Sequence, residues 1–484
     1  MLFNSVEFFI FLPLVIIIYL LLPQKARVYF LLIASYFFYA SWSYEYLVLI
    51  IFTTITSFFA GLRIAKSDKK WIKRVYLANV LIINLGILFV FKYFNFFNGA
   101  LSDIYSLFDV QYEGFFLNVL LPVGISFYTF QALSYCIDIY RGQTAIENNL
   151  VRFSLYVSFF PQLVAGPIER SRHLLPQLKT FKSLDYKNVS TGFKLILWGL
   201  FTKVVIADRL ALVVNTVYND VYAYSGISYL IATFFFTYQI YLDFSGYSNI
   251  AIGVAKLFNI DLMENFRRPY FSKSITEFWG RWHISLSTWF KDYLYIPLGG
   301  NRVSKSRWIF NTLVVFVVSG FWHGANYTFL IWGGIHGIML VIEKLFYGRK
   351  IKDIKPGITL SNVWKWMITY SIVIFAWIFF RANNVQDAIY IIKHLFDLNL
   401  TDFKMLATSG GTSHLLGIST YDFILSIFLI SLFLLINFNV RKKGLVNSIN
   451  SLPFYVRWFL YIIITIIILW FGKFGFNEFI YFQF

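Results

Sequence analysis

The chain has 484 residues, of which 58% are hydrophobic and only 14% are charged. Soluble domains are about half apolar and about a quarter charged, so this composition excludes a soluble protein and indicates an integral membrane protein. The net charge of +18 does not indicate nucleic-acid binding, because the basic residues stand in short clusters beside hydrophobic runs, as in cytoplasmic membrane loops. The single cysteine, Cys136, excludes an intrachain disulfide and a cysteine-cluster metal site.

Hydrophobic runs that approach or reach the length of a membrane span recur along the whole chain. They lie near 8–22, 28–40, 46–62, 75–94, 115–137, 150–165, 192–206, 226–252, 308–322, 325–346, 363–380, 423–439 and 455–471. Glu7, with no basic residue before the first run, favours a retained helix over a cleaved signal peptide. Several runs are shorter than the ~20 residues that cross ~30 Å of hydrocarbon, and such short segments usually line a cavity. We predict an all-α polytopic membrane protein with about 11 spans, some of them re-entrant.

The charges in the loops predict an orientation. If the basic loops are cytoplasmic, the loop at 98–114 lies outside, and its charged residues Asp103, Asp109 and Glu113 agree because none is basic. The last run then points outward and leaves the tail, residues 472–484, on the external face. The loops predicted to be cytoplasmic are 24–27, 63–74, 302–307, 348–355 and 441–443.

The stretch 265–302, NFRRPYFSKSITEFWGRWHISLSTWFKDYLYIPLGGNR, is less apolar than its neighbours and dense in aromatic residues. Residues 275–295 within it change faces at helical spacing. Four aromatic or aliphatic residues share one stripe, and three polar residues fall elsewhere: Phe278, Trp282, Leu286 and Trp289 against Arg281, Ser285 and Asp292. We predict one helix that lies in the membrane interface or lines a polar cavity, and this helix carries His283.

His323 has the strongest signal of a catalytic residue. It follows the short run 308–322, at a break between two helices, and Gly320, Gly324 and Asn326 give the backbone room for a turn and for a ligand. An ionisable residue within a membrane is a functional candidate by default. Because burial disfavours the imidazolium, such a histidine stays neutral and able to accept a proton, as a general base must.

The other histidines have weaker signals. His336, in the run GGIHG, has two possible uses, a hydrogen bond across packed helices or a place in the site, and the spacing of Gly333 and Gly337 favours packing. His173 lies in a basic loop and is expected to be solvated. Little functional weight falls on His394 and His414 in the less hydrophobic segment 381–420.

Two kinds of chemistry lack support. A metal site is unsupported because no His-x-x-x-His pair exists, and His323 and His336, 13 residues apart, would project to different sides of a continuous helix. A Ser-His-Asp hydrolase is unsupported because no G-x-S-x-G motif occurs.

Four long motifs resemble the membrane-bound O-acyltransferases, and within them the bacterial alginate and peptidoglycan O-acetyltransferase branch. These are RWHISLSTWFKDYLYIPLGGNR, FWHGANYTFLIWGGIHG, FPQLVAGPIERSRHLLPQL and QIYLDFSGYSNIAIGVAKLFNI. The likeness runs over residues 1–484 as one membrane domain, with a catalytic core at about 115–346 and an extracytoplasmic tail at 472–484. It implies a ring of about 11 tilted helices, with re-entrant or interfacial helices, around a central pore or funnel.

The resemblance also implies an activity. It makes His323, in the W-H-G motif, the catalytic residue, and His283 a second polar residue that orients the donor or hydrogen-bonds the thioester carbonyl. It implies acetyl-CoA as the cytoplasmic donor, with no permanently bound cofactor, in a multi-pass protein of the bacterial inner membrane among lipids. The acceptor would be an alginate-like polymer or peptidoglycan, reached through an extracytoplasmic serine-type acetyltransferase partner; nucleic acid has no role.

Further residues are candidates for substrate binding. The CoA phosphates need cationic donors, and for each basic candidate the alternative, anchoring on the positive side of the membrane, is favoured. Trp322 shapes a channel or merely packs, and Asn326 and His336 complete the candidates. The basic candidates are Arg267, Arg268, Lys273, Arg281 and Arg302.

The tail contains a second resemblance. Phe479, Tyr481 and Phe484 match an F-x-Y-x-x-F pattern similar to the acyl-carrying motif of bacterial envelope O-acylation systems. From Phe471 to Tyr481 an extended chain reaches ~33 Å, beyond the ~15 Å depth of the membrane centre. We predict that Tyr481 attacks the thioester and carries the acetyl group; the alternative is an interfacial aromatic anchor.

Two other classes of function stay open from the sequence. A transporter or flippase for a lipid-linked or acyl substrate would also use broken helices, but it predicts inverted repeats and charged residues deep in the spans, and neither is apparent. A structural partner that anchors a soluble acyltransferase would tolerate the loss of His323.

Overall fold

Helices account for all regular secondary structure in the part of the chain that the structure describes. The structure is a computed structural model and describes residues 1–112, 114–181, 183–348, 357, 359–406, 408, 410–440, 443–475 and 479–480. The predictions for Glu113, Tyr481 and Phe484, for most of the loop 348–355 and for residues 441–442 lie outside the described residues. The all-α prediction is confirmed.

The described α-helices follow one another closely along the chain. They are α1 Val6–Leu21, α2 Gln24–Ala40, α3 Leu47–Lys66, α4 Lys70–Leu88, α5 Phe94–Ser106, α6 Ile125–Tyr140, α7 Leu150–Ser158, α8 Phe160–Leu163, α9 Ser171–Lys179, α10 Tyr186–Leu200, α11 Asp208–Asn219, α12 Gly226–Leu257, α13 Ile275–Trp279, α14 Ile284–Phe290, α15 Lys305–His323, α16 Tyr327–Tyr347, α17 Leu360–Arg381, α18 Val385–His394, α19 Leu400–Leu406, α20 Gly411–Leu416, α21 Thr420–Asn439, α22 Leu445–Asn450 and α23 Phe454–Phe471. Turns of π-helix occupy Phe89–Tyr93, Phe201–Ala207 and Lys291–Tyr295.

Six helical segments of the described chain are long and apolar enough to cross a membrane. They are α3, the continuous segment Lys70–Ser106, α16, α17, α21 and α23. Helices satisfy their own backbone polar groups, which a hydrocarbon environment requires. On α23, Leu469 and Trp470 are 73% and 81% exposed, which suits contact with lipid. The protein is therefore a multi-pass membrane protein, as predicted.

Two of the predicted boundaries are wrong. The loop expected at 98–114 is helical through Ser106, because the π-turn after α4 lets the helix continue into α5 without a break. The hydrophobic run 115–137 becomes helical only at Ile125. Gly124 starts that helix at φ 75°, where the carbonyl oxygen of Leu163 lies 2.7 Å from the position that a Cβ would take.

Residues 1–193 and 251–263 form one compact unit. Aromatic side chains of α1, α2 and α8 pack in its interior, where the rings of Phe11, Phe38 and Phe160 lie 5.3–5.9 Å apart. Edge-to-face and tilted arrangements of this kind suit buried aromatic side chains.

Residues 194–250 and 264–484 form a second compact unit, which contains both histidines of the predicted site. Its helices α15 and α16 pack through glycine, because a side chain at Gly320 or Gly333 would overlap a backbone carbonyl of the other helix. This confirms the small-residue packing expected of GGIHG. At Gly324 the ring of Phe329 occupies the space that a side chain would take.

The single helix predicted over 275–295 is also wrong. It divides into α13, α14 and a π-turn, with a break at Gly280–His283. His283 adopts the left-handed conformation, with φ 43° and ψ 55°, which no α-helix accommodates. The stripe Phe278, Trp282, Leu286 and Trp289 is nevertheless buried, as its spacing predicted.

Candidate active site

His283 and His323 lie close together although 40 residues separate them. His283 immediately precedes α14, and His323 is the last residue of α15. The centroids of their rings are 6.4 Å apart, and the two residues are 0% and 2% exposed. The second unit thus brings the two predicted catalytic residues into one place.

Aromatic side chains surround this pair. The rings of Trp322, Trp332 and Phe380 lie 4.9–5.3 Å from the ring of His323. The ring of Phe244, on α12, lies 4.6 Å from that of His283. Apolar walls of this kind disfavour the charged imidazolium.

Asn265 determines the tautomer of His283. The backbone N–H and the hydroxyl of Ser285 donate to Oδ1 of Asn265 at 3.2 and 3.0 Å, and since an N–H can only donate, this atom is the amide oxygen. The same oxygen lies 3.1 Å from Nδ1 of His283, which therefore carries the proton. In the neutral ring, Nε2 must then hold the lone pair.

Asn265 also supports the unusual backbone of His283. Its carbonyl oxygen accepts the N–H of Ile284 at 2.9 Å, and its side-chain amide donates to the hydroxyl of Ser248 at 3.3 Å. These bonds hold the left-handed turn in place. Sequence reasoning missed Asn265, because the contacts that identify it join residues 17 to 20 positions apart.

His336 is fully buried, but it lies behind Trp332 rather than beside His323. The ring of Trp332 is 5.1 Å from that of His323 and 5.0 Å from that of His336. The indole N–H of Trp279 donates to Nδ1 of His336 at 3.3 Å. This hydrogen bond between helices is the contact that the packing interpretation requires.

Three of the remaining candidates, Asn326, Arg267 and Arg281, have structural partners. Asn326 begins α16: its side-chain oxygen accepts the N–H of Thr328, and its amide donates to the carbonyl of Asn383. Among the basic candidates, Arg267 pairs with Glu264 and Arg281 with Glu277. Such pairs fit anchoring at least as well as phosphate binding. Arg268 has a positive φ of 50°. Nζ of Lys273 lies 3.5 Å from the carbonyl oxygen of Gly357. Arg302 is exposed, and Trp322 is buried.

Sequence reasoning also missed three buried charged residues, Lys203, Asp208 and Asp243, each 2% exposed. This corrects the expectation that no charged residue lies deep within the hydrophobic runs. Asp243 interrupts the hydrophobic run 226–252 and Lys203 the run 192–206, and ionisable residues in such runs were a signal of function.

Two buried residues of the tail, Phe479 and Ile480, lie close to the aromatic residues around His283. The ring of Phe479 lies 5.5 Å from that of Phe244 and 4.8 Å from that of Tyr247, and Phe479 and Ile480 are 1% and 2% exposed. Phe244 therefore contacts both the tail and His283. Tyr481, the next residue, lies outside the described residues.

His173 is not simply solvated, as the sequence suggested. It belongs to the first unit, where its Nδ1 lies 2.6 Å from Oε2 of the fully buried Glu169. This hydrogen bond raises the pKa of His173, although its side chain is 45% exposed. His394 pairs with Asp397 at 2.6 Å, and His414 is exposed.

Comparison with known proteins finds a matching family and several relatives. Residues 146–386, which include Asn265, His283 and His323, match the model of the membrane-bound O-acyltransferase family. The probable alginate O-acetylase AlgI of Pseudomonas aeruginosa is 39% identical over 391 residues, covering 80% of this chain and 72% of that protein. The peptidoglycan O-acetyltransferase of Helicobacter pylori is 36% identical over 431 residues, covering 82% and 80%.

The name of a more distant relative gives a different activity. The teichoic acid D-alanyltransferase of Bacillus subtilis is 28% identical over 283 residues, covering 55% of this chain and 70% of that protein. With the family match and the extended identity to two O-acetyltransferases, the chain belongs to the membrane-bound O-acyltransferase family and is an acyltransferase.

Proposed function

We propose that this protein takes an acetyl group from cytoplasmic acetyl-CoA and delivers it for O-acetylation of an exported or cell-envelope polysaccharide. It would lie in the inner membrane of a bacterium, with about 11 tilted helices around a funnel that both substrates reach. Relatives named alginate O-acetylase and peptidoglycan O-acetyltransferase support an acetyl group and a polysaccharide acceptor.

The observation that carries the proposal is the pair of buried imidazoles, 6.4 Å apart. A general base must be neutral and within reach of the proton it removes. In the proposed site His323 is that base. His283 cannot donate from Nε2 to a thioester carbonyl while its proton is on Nδ1, so in this proposal it orients the reactants as an acceptor of a hydrogen bond.

The proposed transfer has two steps. In the first, His323 takes the proton of the Tyr481 hydroxyl while the phenol oxygen attacks the thioester carbonyl; the C–S bond breaks, and the leaving CoA thiolate recovers the proton. A phenol with a pKa near 10 needs such a base, since its protonated form is a weak nucleophile. In the second step, a serine hydroxyl of an extracytoplasmic partner attacks the aryl acetate and restores the phenol. The burial of Phe479 and Ile480 supports a tail that reaches inward.

The test uses the purified protein in proteoliposomes, with the polymer and its partner acetyltransferase inside and acetyl-CoA labelled separately in its acetyl and CoA parts outside. An acyltransferase places the acetyl label on the acceptor and leaves the CoA label outside, whereas a transporter moves both labels together. Removing a general base costs roughly 10²–10⁴ in rate, so His323→Ala should lose transfer. His414→Ala, at an exposed histidine, is the control; wild-type turnover by His323→Ala would disprove the mechanism.

The role of Tyr481 has its own test. Tyr481→Phe keeps the ring and removes only the hydroxyl, so an interfacial anchor survives this change and an acyl carrier does not. Tyr455→Phe on α23, where the side chain is 84% exposed, is the matched control. We expect polymer acetylation to be lost in the first variant and retained in the second; full acetylation by Tyr481→Phe would leave the tail as an anchor.

A further inference from the structure

A group of three charged side chains is buried in the second unit, and we call it the charge socket: Lys203, Asp208 and Asp243. Nζ of Lys203 lies 2.8 Å from Oδ1 of Asp208 and 2.6 Å from Oδ1 of Asp243. The mechanism above uses none of these residues. Buried ion pairs often contribute little net stability, because desolvation offsets the attraction, so their presence calls for another explanation.

Local backbone features build the socket. Lys203 stands in the π-turn Phe201–Ala207, and turns of this kind are frequent at functional sites. The preceding helix approaches α12 at Gly199 and Gly246, where a Cβ on either residue would lie 2.6 or 2.9 Å from the carbonyl oxygen of the other. A Cβ at Gly246 would also lie 3.3 Å from Cβ of Lys203. The absence of a side chain at Gly246 therefore lets Lys203 lie close enough to contact Asp243.

The last residue of α23 and two residues of the tail contact this same region through their backbones. Arg209 donates to the carbonyl of Phe471 at 3.0 Å, where α23 ends. The N–H of Lys473 donates to the carbonyl of Val204 at 2.9 Å. The N–H of Ile480 donates to Oδ2 of Asp243 at 2.8 Å, so the tail bonds directly to the socket.

The hydrogen bonds of the socket explain why it takes a peptide N–H. The ammonium of Lys203 contacts one oxygen of Asp208 and one oxygen of Asp243. A buried carboxylate needs further donors for its oxygens, and on Asp243 one oxygen receives Lys203 while the other receives Ile480. Because the donor is a backbone N–H, the hydrogen bond fixes the position of the main chain at residue 480.

We infer that the charge socket is the receptor of the tail, with Asp243 as a positioning residue that fixes residue 480 next to the wall of the active site. Phe244, the neighbour of Asp243, packs against both Phe479 and His283. The purpose of this docking, to present Tyr481 to the donor, rests on the proposed function. The docking itself does not depend on that function.

The test removes the donor and leaves the buried charges intact. Ile480→Pro has no backbone N–H, whereas Ile480→Val keeps it and is the matched control. Docking is measured by a short bis-maleimide crosslink between Tyr247→Cys and Phe479→Cys, whose rings are 4.8 Å apart, in a Cys136→Ala background. Losing a hydrogen bond to a charged group weakens docking substantially. We therefore expect the crosslink yield and polymer acetylation to fall roughly tenfold or more in Ile480→Pro. Both should persist in Ile480→Val.

The outcomes separate the two proposals. A crosslink that persists in Ile480→Pro overturns the socket as receptor, even if Tyr481→Phe abolishes acetylation and so supports the carrier. A crosslink lost in Ile480→Pro supports the socket. If acetylation then remains complete in both Ile480→Pro and Tyr481→Phe, the socket holds the tail but the acyl-carrier function of Tyr481 fails.

Discussion

Nδ1 of His283 donates a hydrogen bond to Oδ1 of Asn265 at 3.1 Å, and the backbone N–H of Ser285 identifies the acceptor atom as the oxygen. A single amide therefore decides which nitrogen of a buried imidazole presents its lone pair. The tautomer of His283 follows because the backbone N–H of Ser285 can only donate, which makes Oδ1 of Asn265 an acceptor and Nδ1 of His283 a donor.

Asn265→Ala should lose activity because the Nδ1 proton loses its acceptor and the tautomer is no longer fixed. The variant also leaves the N–H of Ser285 without this partner, at a cost of about 1–3 kcal/mol in the free energy of unfolding. Asn265→Asp keeps an acceptor and should retain more activity, with a pH–rate profile shifted upward because a carboxylate favours the imidazolium.

The measurement for Asn265 is the ¹⁵N spectrum of histidine-labelled protein, which distinguishes the two tautomers. The chain has six histidines, and His283→Gln assigns the signal. If the wild-type spectrum places the proton of His283 on Nε2, the deduction fails, whatever the activity of the variants.

Neighbouring glycines of α16 should differ sharply in their tolerance of a side chain. At Gly333 a Cβ would overlap the carbonyl of Phe316, whereas at Gly334 nothing lies within 4 Å. Gly333→Val should separate α15 from α16, lower the free energy of unfolding by about 1–3 kcal/mol and move His323 away from Trp332. Gly334→Ala should be neutral or stabilise by about 0.5–1 kcal/mol. Thermal unfolding and acetyl transfer measure both, and equal effects would contradict the packing argument.

The sequence predicts those helix ends that depend on local residues and misses those that depend on distant contacts. His323 follows an apolar run and precedes Gly324, so its place at the end of α15 is a local property. The break before α14 is not local, since the left-handed turn at His283 depends on the carbonyl of Asn265. For the same reason, the apolar periodicity of 275–295 predicts the buried stripe correctly and the continuous helix wrongly.

The charge socket is a second case of this kind. Lys203 and Asp243 each stand in a run that otherwise indicates burial, but only the approach of Gly199 and Gly246 makes them partners. Neither periodicity nor spacing encodes a pair 40 residues apart. Residue type alone would have marked both residues as candidates.

Stability should depend on pH through His173. Its hydrogen bond to Glu169 raises the pKa of its imidazole in the folded state. A group with a raised folded-state pKa contributes stability below its unfolded pKa, near 6.5, and loses it as pH rises through the folded value. The melting temperature of detergent-solubilised protein should therefore fall more between pH 6 and about pH 8 in the wild type than in His173→Gln. The effect is modest, since His173 is half exposed; His414→Gln is the control, and identical slopes would remove this contribution.

The last prediction concerns orientation in the membrane. The helical segment Lys70–Ser106 ends before Asp109, and residues 107–112 carry no basic side chain, so a reporter inserted after Asp109 should be external. A reporter after Lys443, beside the basic residues 441–443, should be cytoplasmic. Phosphatase and fluorescent-protein fusions report the two sides with opposite signals. Because the inserts lie in loops, they should leave the helices intact. If both signals are reversed, the tail after α23 faces the cytoplasm and Tyr481 cannot deliver an acetyl group to an external partner.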